Sequence, residues 1–157
     1  FSRDQTQAVT NRVVGTYGYM APEYMMRGNY SVKSDAFSFG VMVLEIVTGR
    51  KNNSNNDGTQ QSGDLLTTVW EHWETGTVVE LVDPNMGGGS IPEHDVLRCI
   101  HIGLLCVQGD PAARPVMSSV VVMLGSNTVT LQAPSKPAFC ARNNSNTAVS
   151  STAPLQG

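Results

Sequence analysis

Few residues in this chain have types and spacings that invite a chemical reading. The candidates are three histidines, three cysteines, a run of glycines and one stretch rich in Gly, aromatic and hydroxyl residues. His72, His94 and His101 fall on three separate elements and have neither a paired nucleophile nor ligand spacing, so surface or packing roles suit them better. Cys99 and Cys106 lie in one helical pattern, roughly 10 Å apart along the axis at about 1.5 Å per residue. A disulfide needs Cα atoms within about 7 Å, so this pair is expected as free thiols of a reducing compartment. Cys140 is left over, and no metal spacing joins the three. Gly87-Gly88-Gly89 has no strand before it and no Lys-Ser/Thr after it, which makes it a hinge and not a phosphate cradle. That leaves Gly15-Thr16-Tyr17-Gly18-Tyr19-Met20-Ala21-Pro22-Glu23-Tyr24, followed by Ser34-Asp35-Ala36-Phe37-Ser38-Phe39-Gly40.

The elements that must position this stretch follow from pattern. Residues 1–19 have little periodicity and read as an exposed loop. Pro22 suits the first turn of a short helix to Met26, ended by Gly28. Ser31 is a plausible N-cap for a helix running to about Thr48, with Gly49 beyond it. Its apolar residues cover the whole circumference, which predicts the central post of something larger, buried on all sides there and left with a bare face where covering helices are missing. Residues 50–62 are a polar loop with no hydrophobic anchor. Asp64 to Glu74 reads as an amphipathic helix with Leu65, Leu66, Val69, Trp70 and Trp73 at helical spacing. Val78 to Asp83 is a short apolar element stopped by Pro84. In Pro92 to Gln108, Val96, Ile100, Gly103, Leu104 and Val107 form the clearest helical stripe. Val116 to Leu124 is a last apolar helix closed by Gly125. Beyond Ser126 the composition turns to Ser, Asn, Thr, Pro and Ala, too poor in apolar surface to offset ordering entropy, so residues 126–157 are expected to be a flexible tail.

Composition narrows the class further. At 157 residues, 40% hydrophobic and 15% charged, the chain is one domain's worth of globular material at most. A net charge of −3 is too small to imply nucleic acid or an anionic membrane as partner. Arg50-Lys51 is the one basic cluster and reads as a solvated helix end. No apolar run reaches the length of about 18 residues that a membrane span needs, and there is no signal peptide. The Asn-x-Ser triplets at Asn29, Asn52 and Asn143 read as chance matches beside free thiols.

From Thr10 to about Leu124 the pattern resembles the C-terminal lobe of plant receptor-like Ser/Thr protein kinases. Ala21-Pro22-Glu23 matches the tripeptide that closes a kinase activation segment, and its context on both sides makes chance a poor explanation. Cys106-Val107-Gln108, Asp110-Pro111 and Arg114-Pro115 match the plant receptor-like ending. The run Val96-Leu97-Arg98-Cys99-Ile100-His101-Ile102-Gly103-Leu104-Leu105 looks most like the cysteine-rich receptor-like branch, and Pro134 to Phe139 points the same way. The resemblance implies a mainly α fold, part of the C-terminal lobe of the bilobal kinase fold over residues 1–125, with a disordered tail after it. Phe1 in place of a starting methionine reads as a chain cut from a longer one.

What the family implies residue by residue is as follows. Gly15, Thr16, Tyr17, Gly18 and Tyr19 form the substrate-docking loop, with Thr16 placed to contact the catalytic base. Thr10 is the foremost phosphoacceptor candidate, with Thr6 and Thr16 behind it. Glu23 pairs with Arg114, tying the activation segment to the penultimate helix. Asp35 grips the catalytic-loop backbone in relatives, and without that loop is predicted exposed or unsatisfied. No His-Arg-Asp and no Asp-Phe-Gly occurs in the sequence, and the Gly-rich loop and strand Lys are missing too. Catalytic, cofactor-binding and metal-binding residues are therefore expected to be none in this chain, and ATP and Mg are expected of the parent kinase only. The parent would sit at the cytoplasmic side of the plasma membrane and act on protein substrates, alongside other receptor-like kinases. The alternative is a non-catalytic kinase-like interaction module or decoy.

Overall fold

The computed structural model describes residues 5–52, 65–138 and 140. Phe1, most of the 50–62 loop, Asp64 and residues 141–157 lie outside them. Five helices carry the fold: α1 (Pro22–Arg27), α2 (Val32–Thr48), α3 (Leu65–Thr75), α4 (Glu93–Cys106) and α5 (Met117–Gly125). Short 3-10 turns at Val78–Leu81 and Met86–Gly89 link α3 to α4.

Each boundary has a local cause. Pro22 opens α1, and Gly28 ends it in the left-handed region at φ 69°. Ser31 and Ser34 form a reciprocal capping box on α2. Gly49, also left-handed at φ 67°, closes that helix. Two three-residue strands, β1 (Gln7–Val9) and β2 (Asn29–Ser31), pair antiparallel with Ala8 opposite Tyr30. The loop expected over residues 1–19 is corrected here for 7–9, because a three-residue strand is too short to show a period.

α2 and α4 cross in close backbone contact. A Cβ on Gly40 would lie 2.6 Å from Cys106 Cβ and 2.8 Å from the Gly103 carbonyl oxygen, and one on Gly103 would lie 2.9 Å from Leu44 Cδ2. Around the crossing lies the main core, where Phe37, Val41 and Leu44 of α2 meet Leu66 and Val69 of α3 and Ile100 and Leu104 of α4. Ile102, Cys106 and Val120 form a smaller cluster between α4 and α5, with Leu131 against it.

α2 has the bare face expected of it outside a larger lobe: Met42 and Ile46 are 50% and 66% exposed on one stripe of the helix. A different expectation changes, because packing does not stop at Ser126. Residues 126–138 lie back across α4, because Arg98, His101 and Gln108 supply polar anchors that a hydrophobicity count does not register.

Candidate functional site

Between β2, α1 and the start of α2 lies a cleft of about 440 Å³, roofed by the segment that precedes α1. Thr10, Arg12, Gly15, Thr16, Tyr19 and Asp35 line it. The segment has few hydrophobic anchors, so hydrogen bonds hold it. The Tyr24 hydroxyl donates to the Val14 carbonyl at 2.7 Å and accepts from the Val14 N–H at 3.0 Å. Ser38 Oγ donates to the Tyr19 carbonyl at 2.6 Å, and Asn52 Nδ2 to the Gly18 carbonyl at 2.9 Å. Thr10 Oγ1 closes a small turn with Arg12, donating to its carbonyl at 3.0 Å and accepting from its N–H at 3.2 Å. Tyr17–Tyr19 forms one 3-10 turn, and Gly15 before it takes φ 139°, a conformation that favours glycine.

Exposure divides the loop. Gly15, Thr16 and Tyr17 face solvent, while Gly18 and Tyr19 are half-buried against α2. A hydrogen bond to the Glu45 carboxylate, with burial behind it, raises the Tyr19 phenol pKa above its ordinary value. The three threonines differ as well: Thr6 and Thr16 are exposed, and Thr10 is half-buried beside Gly28. The Thr10 N–H donates to the Gly28 carbonyl at 2.9 Å. Asp35 stands exposed on the first turn of α2, its carboxylate making no hydrogen bond or ion pair among the described residues.

Glu23 and Arg114 meet in a two-pronged pair, Nη1 to Oε1 at 2.7 Å and Nη2 to Oε2 at 3.1 Å. Arg114 is 1% exposed and follows the 3-10 turn Pro111–Ala113, so the pair ties α1 to the connection between α4 and α5 and not to the penultimate helix as expected. Its remaining donors reach the carbonyls of Gln108 at 2.8 Å, Lys33 at 3.1 Å and Gly109 at 3.4 Å. The guanidinium carbon sits 5.0 Å from the Phe37 ring centroid, and Lys33 Nζ donates to the Arg114 carbonyl. A buried arginine with this many partners is held rigidly, which lets it position α1 and hence the loop before it.

Sequence reasoning placed the loop and the pair but missed what holds them. Tyr24 and Ser38 lie inside the quoted motifs without an assigned role, and Asn52 was grouped with an unanchored polar loop. Nothing in a linear pattern says that Asn52 reaches back to Gly18. His72, His94 and His101 remain apart from the cleft: His101 packs against Trp73 at 4.9 Å between centroids with the rings tilted by 54°, and His72 bonds Thr77. Cys99, Cys106 and Cys140 are free thiols, and burial pushes Cys106 up to about 12. Among the described residues no group of three or more His, Cys, Asp or Glu side chains could hold a metal ion. Asp35 is the one described carboxylate lining the cleft.

A mainly helical half-lobe, an activation-segment tripeptide and an ion pair tying it to the chain before the last helix define the class. The chain belongs to the protein kinase domain family, which it matches over residues 1–121. It is 64% identical over 140 residues to cysteine-rich receptor-like protein kinase 6 of Oryza sativa subsp. japonica, covering 89% of this chain and 20% of that protein. Against cysteine-rich receptor-like protein kinase 7 of Arabidopsis thaliana it is 55% identical over 147 residues, covering 94% and 22%. The chain thus spans about a fifth of the length of these plant relatives. Among solved structures, the pseudokinase domain of BIR2, an immune regulator of the RLK/Pelle family, matches with a TM-score of 0.60 and 30% identity over 71% of this chain and 33% of that one.

Proposed function

We propose that this chain is the substrate-docking part of a receptor-like Ser/Thr kinase that moves the ATP γ-phosphoryl group to protein hydroxyls. The observation that carries this reading is the braced loop. Gly15–Tyr19 is held by Ser38 and Asn52 at its far end and by Tyr24 on Val14 just before it, while keeping Thr16 and Tyr17 open to solvent. Such a loop offers backbone and hydroxyl groups to an extended peptide at little ordering cost. Thr16 would reach the catalytic base of the parent, Asp35 would accept hydrogen bonds from its catalytic-loop backbone, and Thr10 would be the regulatory phosphoacceptor. Nucleotide and metal would be held by parts of the parent outside this sequence, at the cytoplasmic face of the plasma membrane. No helix among the described residues is long and apolar enough to cross a membrane.

Positioning and charge stabilisation supply most of phosphoryl-transfer catalysis, and this chain contributes the positioning. Calorimetry of the 157-residue polypeptide with Mg-ATP is expected to give no binding heat. Binding with micromolar affinity would overturn the division of labour proposed here. In the complete kinase, Thr16→Ala is expected to lower kcat, and unchanged kinetics would remove Thr16 from the site. The likeness to a pseudokinase domain favours a second reading, a non-catalytic interaction module. Absence of phosphoryl transfer by the complete domain, with peptide binding retained, would select it.

A further inference from the structure

Packing continues past α5. Arg98 donates Nε to the Met123 carbonyl at 3.0 Å and Nη2 to those of Ser126 and Val129 at 2.8 and 2.9 Å. His101 Nε2 meets the Gln132 carbonyl at 2.6 Å. The third anchor is Gln108, only 4% exposed. Its Nε2 donates to the carbonyls of Leu105 and Ala113, both at 2.9 Å. Its Oε1 accepts from the Ser135 N–H at 3.0 Å and the Ser135 hydroxyl at 2.9 Å. The Gln108 backbone also bridges Pro137, and its carbonyl accepts from Arg114 Nε. Gln108 therefore joins Ser135, through its side-chain amide, to the arginine that holds Glu23, through its backbone carbonyl.

Ser135 is exposed although its acceptor is buried, and it lies in extended chain outside any helix or strand. A protein kinase can take up such a segment without melting an element. We propose that Ser135 is a phosphorylation site, and that its phosphate unseats residues 133–138 from Gln108. In the transfer, Ser135 Oγ forms a bond to the γ-phosphorus of ATP, the bridging bond to the β-phosphate breaks, ADP leaves and the hydroxyl proton is lost. The product has no Oγ–H to donate. It also brings about −1.5 to −2 charges up to an amide oxygen that is itself an acceptor. Donor and acceptor become two acceptors in contact, and the segment swings out.

Cys140 reports the movement. It is 9% exposed, and its N–H donates to the Pro137 carbonyl at 3.3 Å, so it leaves with the segment. The unseating stands on this geometry alone; only its effect on Gly15–Tyr19, through Gln108, Arg114 and Glu23, rests on the kinase reading.

The test uses the complete kinase domain carrying this chain, with phosphoserine incorporated at position 135 and Ser135→Ala beside it. Iodoacetamide labelling of Cys140 is followed by peptide mass mapping. Phosphoserine is expected to raise the Cys140 rate about tenfold or more, while Ser135→Ala, which keeps the backbone N–H bond, changes it less than about threefold. Equal rates in the two proteins would overturn the unseating. Phosphopeptide mapping of the native polypeptide is expected to find phosphate on Ser135, and a peptide that is always unmodified would overturn the assignment. Phosphoserine is further expected to raise the peptide KM with kcat little changed. Absence of transfer by the unmodified domain counts against the kinase reading and leaves the labelling result standing.

Discussion

Arg114 is the single side chain on which most of the site's geometry hangs. Its partners are one carboxylate, three carbonyls and the Phe37 ring, and its own side chain has no exposure. Removing one partner of a buried pair costs about 3–5 kcal/mol, because the other charge stays inside uncompensated. Arg114→Ala in the complete kinase domain is therefore expected to lower the urea-unfolding free energy by about that amount. A loss below about 1 kcal/mol would mean the pair behaves like an exposed one. Arg114→Lys keeps the charge but not the fork, and should recover only part of the loss. A second residue-scale prediction concerns alkaline pH. Burial holds the folded Cys106 thiol at about 12 against an ordinary 9.0. The native state therefore keeps a proton that the unfolded chain gives up, and stability is fully present below pH about 9 and falls as pH rises toward 12. Tyr19, raised by Glu45, acts with the same sign. In urea titrations at pH 8 and 10.5, the midpoint of Cys106→Ala should fall less between the two than that of wild type. Parallel falls would assign the alkaline loss to other groups.

At the scale of elements, the crossing of α2 and α4 sets the lobe's internal distances. Gly40 and Gly103 let the two backbones approach until each occupies the space of the other's missing side chain. A methyl on Gly40 would overlap both Cys106 Cβ and the Gly103 carbonyl, and neither is the free end of a flexible chain. Overpacking of this kind costs typically about 1–3 kcal/mol. Gly40→Ala should lower the melting temperature of the complete domain by several degrees, and an unchanged melt would mean the helices slide apart without loss. The capping box on α2 fixes where that helix begins, and thereby where Asp35 and Ser38 face the cleft.

The whole molecule has an unfinished surface. Met42 and Ile46 on α2, with Val121, Val122 and Leu124 on α5, are 43–67% exposed. Apolar burial is worth roughly 25 cal/mol per Å², so leaving these faces in water gives up stability that is only about 5–15 kcal/mol in whole domains. The 157-residue polypeptide is expected to bind a hydrophobic dye, associate and melt broadly. Ile46→Ser with Val121→Ser should reduce dye binding without loss of helix content. A sharp, cooperative melt from a monomer of the unaltered chain would contradict this account.

How much of this was legible in sequence depends on the range of the force involved. The helices could be read from Pro22, Gly28, Ser31, Gly49 and the stripes of α3 and α4, because caps and periodicity are local physics. The loop Gly15–Tyr19 and the tripeptide before Tyr24 could be read as motif. The strand pair was not legible, since three residues carry no period. Neither was the packing of residues 126–138, since their anchors are side chains of α4 and its C-terminal end donating to or accepting from backbone groups far along the chain. The sequence by itself determined the family and the order of helices, through local propensity and spacing. Only the tertiary structure decided that Asn52 braces Gly18, which stripe of α2 stays bare, and that Gln108 stands between Ser135 and Arg114. Each of these depends on distances between residues that no local pattern relates.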